Sequence, residues 1–176
     1  MQYSIGVEYA LHCLVYLIPN ESKIGIKELA YFQGIPETYL SKIFTKLAKA
    51  GIISSVPGVK GGFKLARDPD EISFWDVVEA VEGKEPIFQC QNIKDKSYLY
   101  RNRDCSDCTV STSSCTINLV MLQAEEAMQN ILRSKKLSWL EEELDRVLPA
   151  QTRKDTRAFF AKDDSIKESD LSLRRV

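Results

Sequence analysis

The chain has little histidine, no long apolar run and no leader-like N-terminus. Its 176 residues include a single histidine, His12, and no nucleophile stands beside a base in an active-site pattern, so the sequence does not favour an enzyme. It contains no stretch of eighteen apolar residues, which argues against a membrane-spanning helix. The first residues lack a cationic start followed by an apolar core and a cleavage site, and we therefore expect a cytoplasmic protein.

Cysteine occurs five times, and in a reducing compartment structural disulfides are rare. Metal binding, redox chemistry or burial therefore remain as roles for these side chains. Cys13 falls within the first predicted helix, and we expect it to be a small buried hydrophobe. Cys105 and Cys108 form a short CxxC motif, which is a weak signal alone.

The net charge of −1 hides two segments of opposite sign. Residues 36–67 carry six cations against one anion, whereas residues 68–90 carry seven acids against one lysine. Because salt screens charges beyond roughly 8 to 10 Å, a phosphate backbone responds to the local patch and not to the average. The basic segment is the candidate contact surface for nucleic acid.

The basic segment has the pattern of a winged helix-turn-helix. Leu40, Ile43, Phe44 and Leu47 recur at helical spacing between Pro36, where a helix can begin, and a glycine at position 51. Residues 52–65 then read as two short strands around a glycine-rich tip, which predicts a β-hairpin wing. In such folds the helix enters the major groove of DNA and the wing contacts the backbone or the minor groove.

The predicted DNA contacts are polar or cationic side chains of this helix and wing. Lysines neutralise phosphates, and hydroxyl groups reach base edges or phosphates. The alternative is an ordinary solvated basic face. The predicted contacts are Thr38, Tyr39, Ser41, Lys42, Thr45, Lys46, Lys60 and Lys64.

The rest of the chain divides around this unit, and the predicted fold class is mainly α with a small hairpin. Residues 1–83 are predicted to form the DNA-binding domain, with Ser73 and Asp76 capping its last helix, and residues 84–116 an aperiodic cysteine-containing loop. Residues 117–148 are predicted to hold a long apolar-striped helix that pairs with a second copy, followed by a terminal helix capped by Ser138. Residues 149–176 are charge-rich and aperiodic, so we expect a mobile tail.

Glu8 and His12 lie one helical turn apart in the first predicted helix. Such a pair can ligate a metal, although a solvated acid beside a packed histidine is the commoner outcome for an arbitrary helix. Cys90 and Cys115 could join Cys105-Ser106-Asp107-Cys108 in a zinc or 4Fe-4S site, but each stands alone, unlike the paired dyads of standard zinc modules. Whether either set of residues binds a metal stays open at this point.

Short motifs that recur in one group of regulators run in order through the first half of the chain. They are Leu29-Ala30, Gly34-Ile35, Tyr39-Leu40, Lys46-Leu47, Lys49-Ala50-Gly51, Ser55-Val56, Gly61-Gly62-Phe63, Leu65-Ala66-Arg67 and residues 76–83, DVVEAVEG. On these motifs the chain resembles the iron–sulfur-dependent winged-helix repressors that include IscR and NsrR. Asn118 stands where three-cysteine members often have a histidine, and Pro57 where IscR-like wings have an arginine.

A narrower likeness involves residues 6–13, GVEYALHC, with Phe88-Gln89-Cys90 and Ser114-Cys115-Thr116-Ile117. These resemble the redox-sensing RsrR branch, in which a 2Fe-2S cluster is held by a glutamate and a histidine of one subunit and two cysteines of the other. The likeness implies that Glu8, His12, Cys90 and Cys115 are the ligands, with Cys105 and Cys108 as accessory thiols.

Together these resemblances imply a homodimeric repressor that binds a palindromic double-stranded operator and senses redox or iron–sulfur status. One rival interpretation is a thiol- or zinc-based winged-helix regulator without a cluster. A second rival, from another class, is an electron-transfer protein, for which a basic helix and wing are unnecessary.

Overall fold

The computed structural model describes residues 3–18, 23–58, 61–91, 93, 98 and 115–161, which are mainly helical with one antiparallel hairpin. The predicted fold class is therefore confirmed. The helices are α1 (Ile5–Leu17), α2 (Ile26–Gln33), α3 (Glu37–Lys49), α4 (Phe74–Glu82), α5 (Thr116–Ser134), α6 (Leu137–Val147) and α7 (Ala150–Ala161). Strands β1 (Ile53–Val56) and β2 (Gly62–Leu65) form the hairpin, followed by a 3-10 turn at Pro69–Glu71. None of these helices is both long and apolar enough to cross a bilayer.

Helices α1 to α4 and the hairpin bury a common hydrophobic core. The apolar stripe predicted for α3 lies inside it, with Leu40, Phe44 and Leu47 fully buried. These side chains pack against buried residues of the neighbouring elements, and burial of that apolar area is the main stabilising term. The buried partners are Val7, Ala10, Leu14, Leu17, Ile24, Leu29, Ile52, Ile53, Ile72, Val77, Val78 and Val81.

A three-residue turn joins α2 to α3 and sets the helix-turn-helix. Gly34 ends α2 with a φ of 65°, a left-handed conformation that glycine adopts without strain. The carbonyl of Pro36 then accepts hydrogen bonds from the backbone N–H of Tyr39 and Leu40 at 3.0 Å each, which starts α3. Pro36 therefore serves as the N-cap, one residue before the helical position predicted for it.

A single residue in the segment before α2, Ile24, anchors the wing to the helical unit. Strand β1 pairs with β2 in the register Ile53↔Leu65 to Val56↔Gly62. Ile24 exchanges two backbone hydrogen bonds with Phe63, at 3.0 and 2.9 Å. A Cβ atom on Gly62 would lie 2.8 Å from the Ile24 carbonyl oxygen, so this close approach requires glycine.

The predicted cap of α4 is confirmed, whereas the cap predicted for α6 is wrong. The Ser73 hydroxyl accepts from the Asp76 N–H at 3.1 Å, and the Asp76 carboxylate accepts from the Ser73 N–H at 2.7 Å, forming a capping box. Ser138, by contrast, lies inside α6, which begins at Leu137. Leu137 starts the helix because its N–H donates to the Ile72 carbonyl at 3.0 Å while its side chain is fully buried.

The predicted tail begins with a helix, which corrects the expectation of a mobile segment from residue 149. Helix α7 packs because Phe160 enters the core at 6% exposure. Its ring lies 5.1 Å from Tyr16 and 4.9 Å from Phe32, and Phe159 also lies 4.9 Å from Phe32. The remainder of the predicted tail, residues 162–176, lies outside the described residues.

Candidate DNA-binding face and ligand residues

Helix α3 presents a polar face to solvent opposite its buried stripe. Thr38, Lys42 and Thr45 are exposed, and Ser41 is half-buried. The Thr45 hydroxyl donates to the Ser41 carbonyl at 2.8 Å, which fixes its rotamer. Lys49 is also exposed and follows Lys42 by seven residues, or two turns, so it extends the same cationic face. That spacing was the signal that could have added Lys49 to the predicted contacts.

Two predicted contacts of α3 point elsewhere. The Lys46 ammonium donates to the Val81 carbonyl at 2.6 Å, so the side chain is engaged by the last turn of α4. Tyr39 is half-buried, and its ring meets Tyr9 of α1 edge-on with centroids 5.9 Å apart. Both side chains thus make contacts between helices in this chain, while Lys46 is also exposed, and their contacts with DNA stay predictions.

The wing contributes at least one exposed cation. Lys64 lies on β2 opposite Ser54 and is exposed. Lys60, the other predicted contact of the wing, lies outside the described residues. Arg67 is exposed just beyond β2 and adds charge at the base of the hairpin.

Glu8 and His12 share the exposed face of α1. Both side chains line an open groove of about 940 Å³ between α1 and the pair α6–α7. Ile5 and Leu11 on α1 and Leu144 on α6 give the groove a largely apolar wall. A glutamate and a histidine one turn apart on an open face can both reach the same external partner.

Arg153 closes the far side of the groove and is held by acids of α6. Its guanidinium donates to Asp145 Oδ1 at 2.5 Å and lies 3.4 Å from Glu141 Oε1. The hydrogen bond from Arg153 lowers the pKa of Asp145. Burial raises the pKa of Glu141 despite the two nearby arginines, Arg153 and Arg157. The sequence pattern gives no signal for this cluster, because the charged residues of α7 show no apolar period and predict a tail.

The cysteines fall into two groups. Cys13 is fully buried in α1, and burial raises the pKa of its thiol to about 12, as expected for an inert small hydrophobe. Cys90 lies half-buried in the segment after α4, and Cys115 is the half-buried N-cap of α5. Cys105 and Cys108 lie outside the described residues.

The four predicted ligands do not assemble within one chain. Among the described residues, no group of three or more histidine, cysteine or acidic side chains is placed to hold a metal ion. Glu8 and His12 stand together on an exposed helix face, whereas Cys90 and Cys115 follow α4 and precede α5. Thiolates and imidazole are established iron–sulfur ligands, so the chemistry of these residues is compatible with a cluster.

The sequence comparisons agree with the geometry of the winged unit. Residues 3–143 match the family model described as Rrf2, an iron-dependent transcriptional regulator. The NsrR regulator of Geobacillus kaustophilus is 32% identical over 81% of this chain and 91% of its own length. The IscR regulator of Aliivibrio salmonicida is 37% identical over 43% of this chain and 45% of its own length.

The comparison of folds gives the same architecture. The solved structure of T. potens IscR has a TM-score of 0.62 and 21% identity, covering 85% of this chain and 93% of the other. At that identity the likeness establishes the fold alone. Helix α7 lies beyond the residues that match the family model.

Proposed function

The chain belongs to the Rrf2 family of transcriptional regulators, and we propose that it is a homodimeric repressor that senses redox or iron–sulfur status through a 2Fe-2S cluster shared between subunits. The prediction that it is not an enzyme is confirmed by that family membership. The observation that carries the proposal is the match of residues 3–143 to a family model described as an iron-dependent transcriptional regulator. Glu8 and His12 face outward from α1, while Cys90 and Cys115 lie on other segments.

DNA binding rests on the exposed face of α3 and the wing. Lys42, Lys49 and Lys64 present ammonium groups to solvent, and Thr38 and Thr45 lie on the same exposed surface of the unit. An α-helix fits the major groove, where short polar side chains reach base edges while lysines neutralise phosphates. Two such faces in a dimer recognise a palindromic operator, because the symmetry of the protein is matched by that of the DNA.

Dimerisation is proposed from the surface of α5. Within the described part of the chain this helix buries none of its residues, although large apolar side chains recur along it. The exposed fraction is 69% for Ile117, 57% for Val120 and 64% for Ile131. A second copy of the same helix covers such a stripe by coiled-coil-like packing, as the sequence pattern predicted.

The proposed ligand roles come from the resemblance to the RsrR branch. Glu8 and His12 of one subunit, with Cys90 and Cys115 of the partner subunit, would hold the cluster. When bound, the cluster supplies a one-electron redox centre at the subunit boundary, with a potential raised by the nitrogen ligand relative to an all-thiolate site.

The test is anaerobic purification of the whole chain, followed by a visible spectrum and counts of iron and acid-labile sulfide. The proposal predicts a coloured protein with equal iron and sulfide, and specific retardation of DNA from upstream of its own coding sequence. Colourless protein with stoichiometric zinc supports the cluster-free regulator instead. Coloured protein that fails to distinguish that DNA from an unrelated duplex supports electron transfer.

A further inference from the structure

The last turn of α4 receives a contact from each of two other helices. Lys46 of α3 donates to the Val81 carbonyl at 2.6 Å. Ser4, the N-cap residue of α1, donates from its N–H and its hydroxyl to Glu82 Oε1, at 2.9 and 2.6 Å. Adjacent residues of α4 therefore hold α3 and α1.

Both contacts suit the electrostatics of helix ends. The Val81 carbonyl is one of the last four of α4, which have no acceptor role within the helix, and a cation there also complements the negative end of the helix dipole. The Glu82 carboxylate lies at the N-terminus of α1, where the dipole favours an anion. Because hydrogen bonds are directional, a shift of α4 relative to α1 or α3 changes their geometry.

Close packing at Gly6 reinforces the arrangement. A Cβ atom on Gly6 would lie 3.3 Å from Val81 Cγ1, 3.3 Å from Tyr39 Oη and 3.1 Å from Ser4 Oγ. Side chains of α3 and α4 thus make tight contact with α1 at this glycine. A larger residue would force these neighbours to shift by a few tenths of an ångström.

We propose that Ser4, Gly6, Lys46, Val81 and Glu82 form a three-helix joint that couples the ligand residues to the recognition face. This inference rests on the proposed function. Glu8 is one turn beyond Ser4, so a displacement of α1 would act on the hydrogen bonds from Ser4 to Glu82. Lys46 carries the displacement to α3, whose next residue toward the N-terminus, Thr45, lies on the outer face. Lys46 is a positioning residue in this scheme and not a DNA contact.

In the sequence, Val81 and Glu82 of the joint lie between the two pairs of proposed ligands. Cys90 follows Glu82 by eight residues, and the intervening segment is tied to α5 where the Ile87 N–H donates to Glu125 Oε2 at 3.3 Å. The cysteine segment thus begins directly after the turn of α4 that contacts α1 and α3. A shift in operator affinity requires only that DNA prefer one arrangement of the joint.

The experiment compares Lys46→Met with Lys42→Met in the full-length, cluster-loaded protein. For each we measure operator affinity in the oxidised and reduced states by fluorescence anisotropy, over a series of salt concentrations. Typical couplings between sites change affinity by roughly 5- to 150-fold. Lys46→Met is expected to bring the ratio between states to within ~3-fold of unity while leaving the salt slope unchanged.

Lys42→Met gives the opposite pattern if it contacts a phosphate. Its affinity falls by the same factor in both states, and its salt slope decreases by about one. Glu82→Ala, with the exposed Glu85→Ala as its matched control, is expected to reproduce the effect of Lys46→Met without changing any cation. Lys46→Arg, which keeps a donor, is expected to restore most of the ratio.

The outcomes separate the joint from the function on which it rests. If wild-type affinity differs between states and Lys46→Met and Glu82→Ala keep the full ratio, the joint is contradicted alone. A reduced salt slope for Lys46→Met with an unchanged ratio makes Lys46 a phosphate contact and likewise contradicts the joint. Equal wild-type affinity in both states contradicts the proposed function, and the joint with it.

Discussion

Large apolar side chains are buried in the winged-helix unit but exposed on helix α5. Phe44 and its neighbours in the unit are fully buried by the same chain, whereas Ile117 and Ile131 on α5 are 69% and 64% exposed. The unit therefore has its own core, and among the described residues the apolar side chains at positions 117, 120 and 131 of α5 are left exposed. The difference indicates that the described part of one chain suffices to bury the core of the winged unit, while under the proposed function a second copy covers α5.

Removing a central side chain of the unit should have the largest effect on stability. Phe44→Ala deletes a fully buried ring that lies 5.0 Å from Phe63 of the wing, so we expect the free energy of unfolding to fall by ~3–5 kcal/mol. Urea denaturation followed by circular dichroism measures it, with Phe44→Leu as the milder control. A loss below ~1 kcal/mol would show that this core does not stabilise the unit.

A charge on the stripe of α5 should weaken association and leave the unit folded. We expect Ile131→Glu to cost ~2 kcal/mol of association free energy, about a 30-fold increase in the dimer dissociation constant. Sedimentation velocity gives the constant, and circular dichroism checks the fold. Asn130→Glu adds the same charge at an exposed polar neighbour. Equal behaviour of the two variants would remove the stripe from the interface.

The smallest effect concerns the two serines that were predicted to cap helices. Ser73→Ala removes a cap seen in the structure and should cost ~1 kcal/mol. Ser138→Ala, within α6, should change stability by less than ~0.5 kcal/mol. Thermal unfolding of the two variants side by side measures the difference. A greater loss of stability for Ser138→Ala than for Ser73→Ala would support the helix cap that the sequence predicts at Ser138.

Periodicity and turn chemistry predicted the winged unit well. The spacing of Leu40, Phe44 and Leu47 located the buried face of α3, and the glycines after Pro57 located the hairpin. Such local patterns report which face is buried, because burial follows the repeat of the helix or strand. These local patterns predicted the fold class, the helix-turn-helix and the long helix α5.

Contacts between elements distant in sequence escaped the same reasoning. Helix α7 is anchored by adjacent aromatic residues and by the buried Arg153, which together give no apolar period. The spacing that places Lys46 on α3 did not show that the end of α4 lies within reach of its ammonium group. The candidate ligands were predicted from a resemblance that already divides them between two subunits, and the described residues of one chain do not bring them together.

The sharing of ligands between subunits is tested most directly by mixing two inactive variants. Glu8→Ala/His12→Ala and Cys90→Ser/Cys115→Ser are co-expressed with different affinity tags, and the mixed dimer is purified anaerobically for iron and sulfide counts. Each homodimer lacks a complete ligand set, but the mixed dimer combines intact Glu8 and His12 with the partner's intact Cys90 and Cys115 at one of its two sites. The account predicts half the wild-type iron and sulfide in the mixed dimer and none in either homodimer. A mixed dimer without iron, beside a wild type that carries it, would contradict a cluster held between two chains.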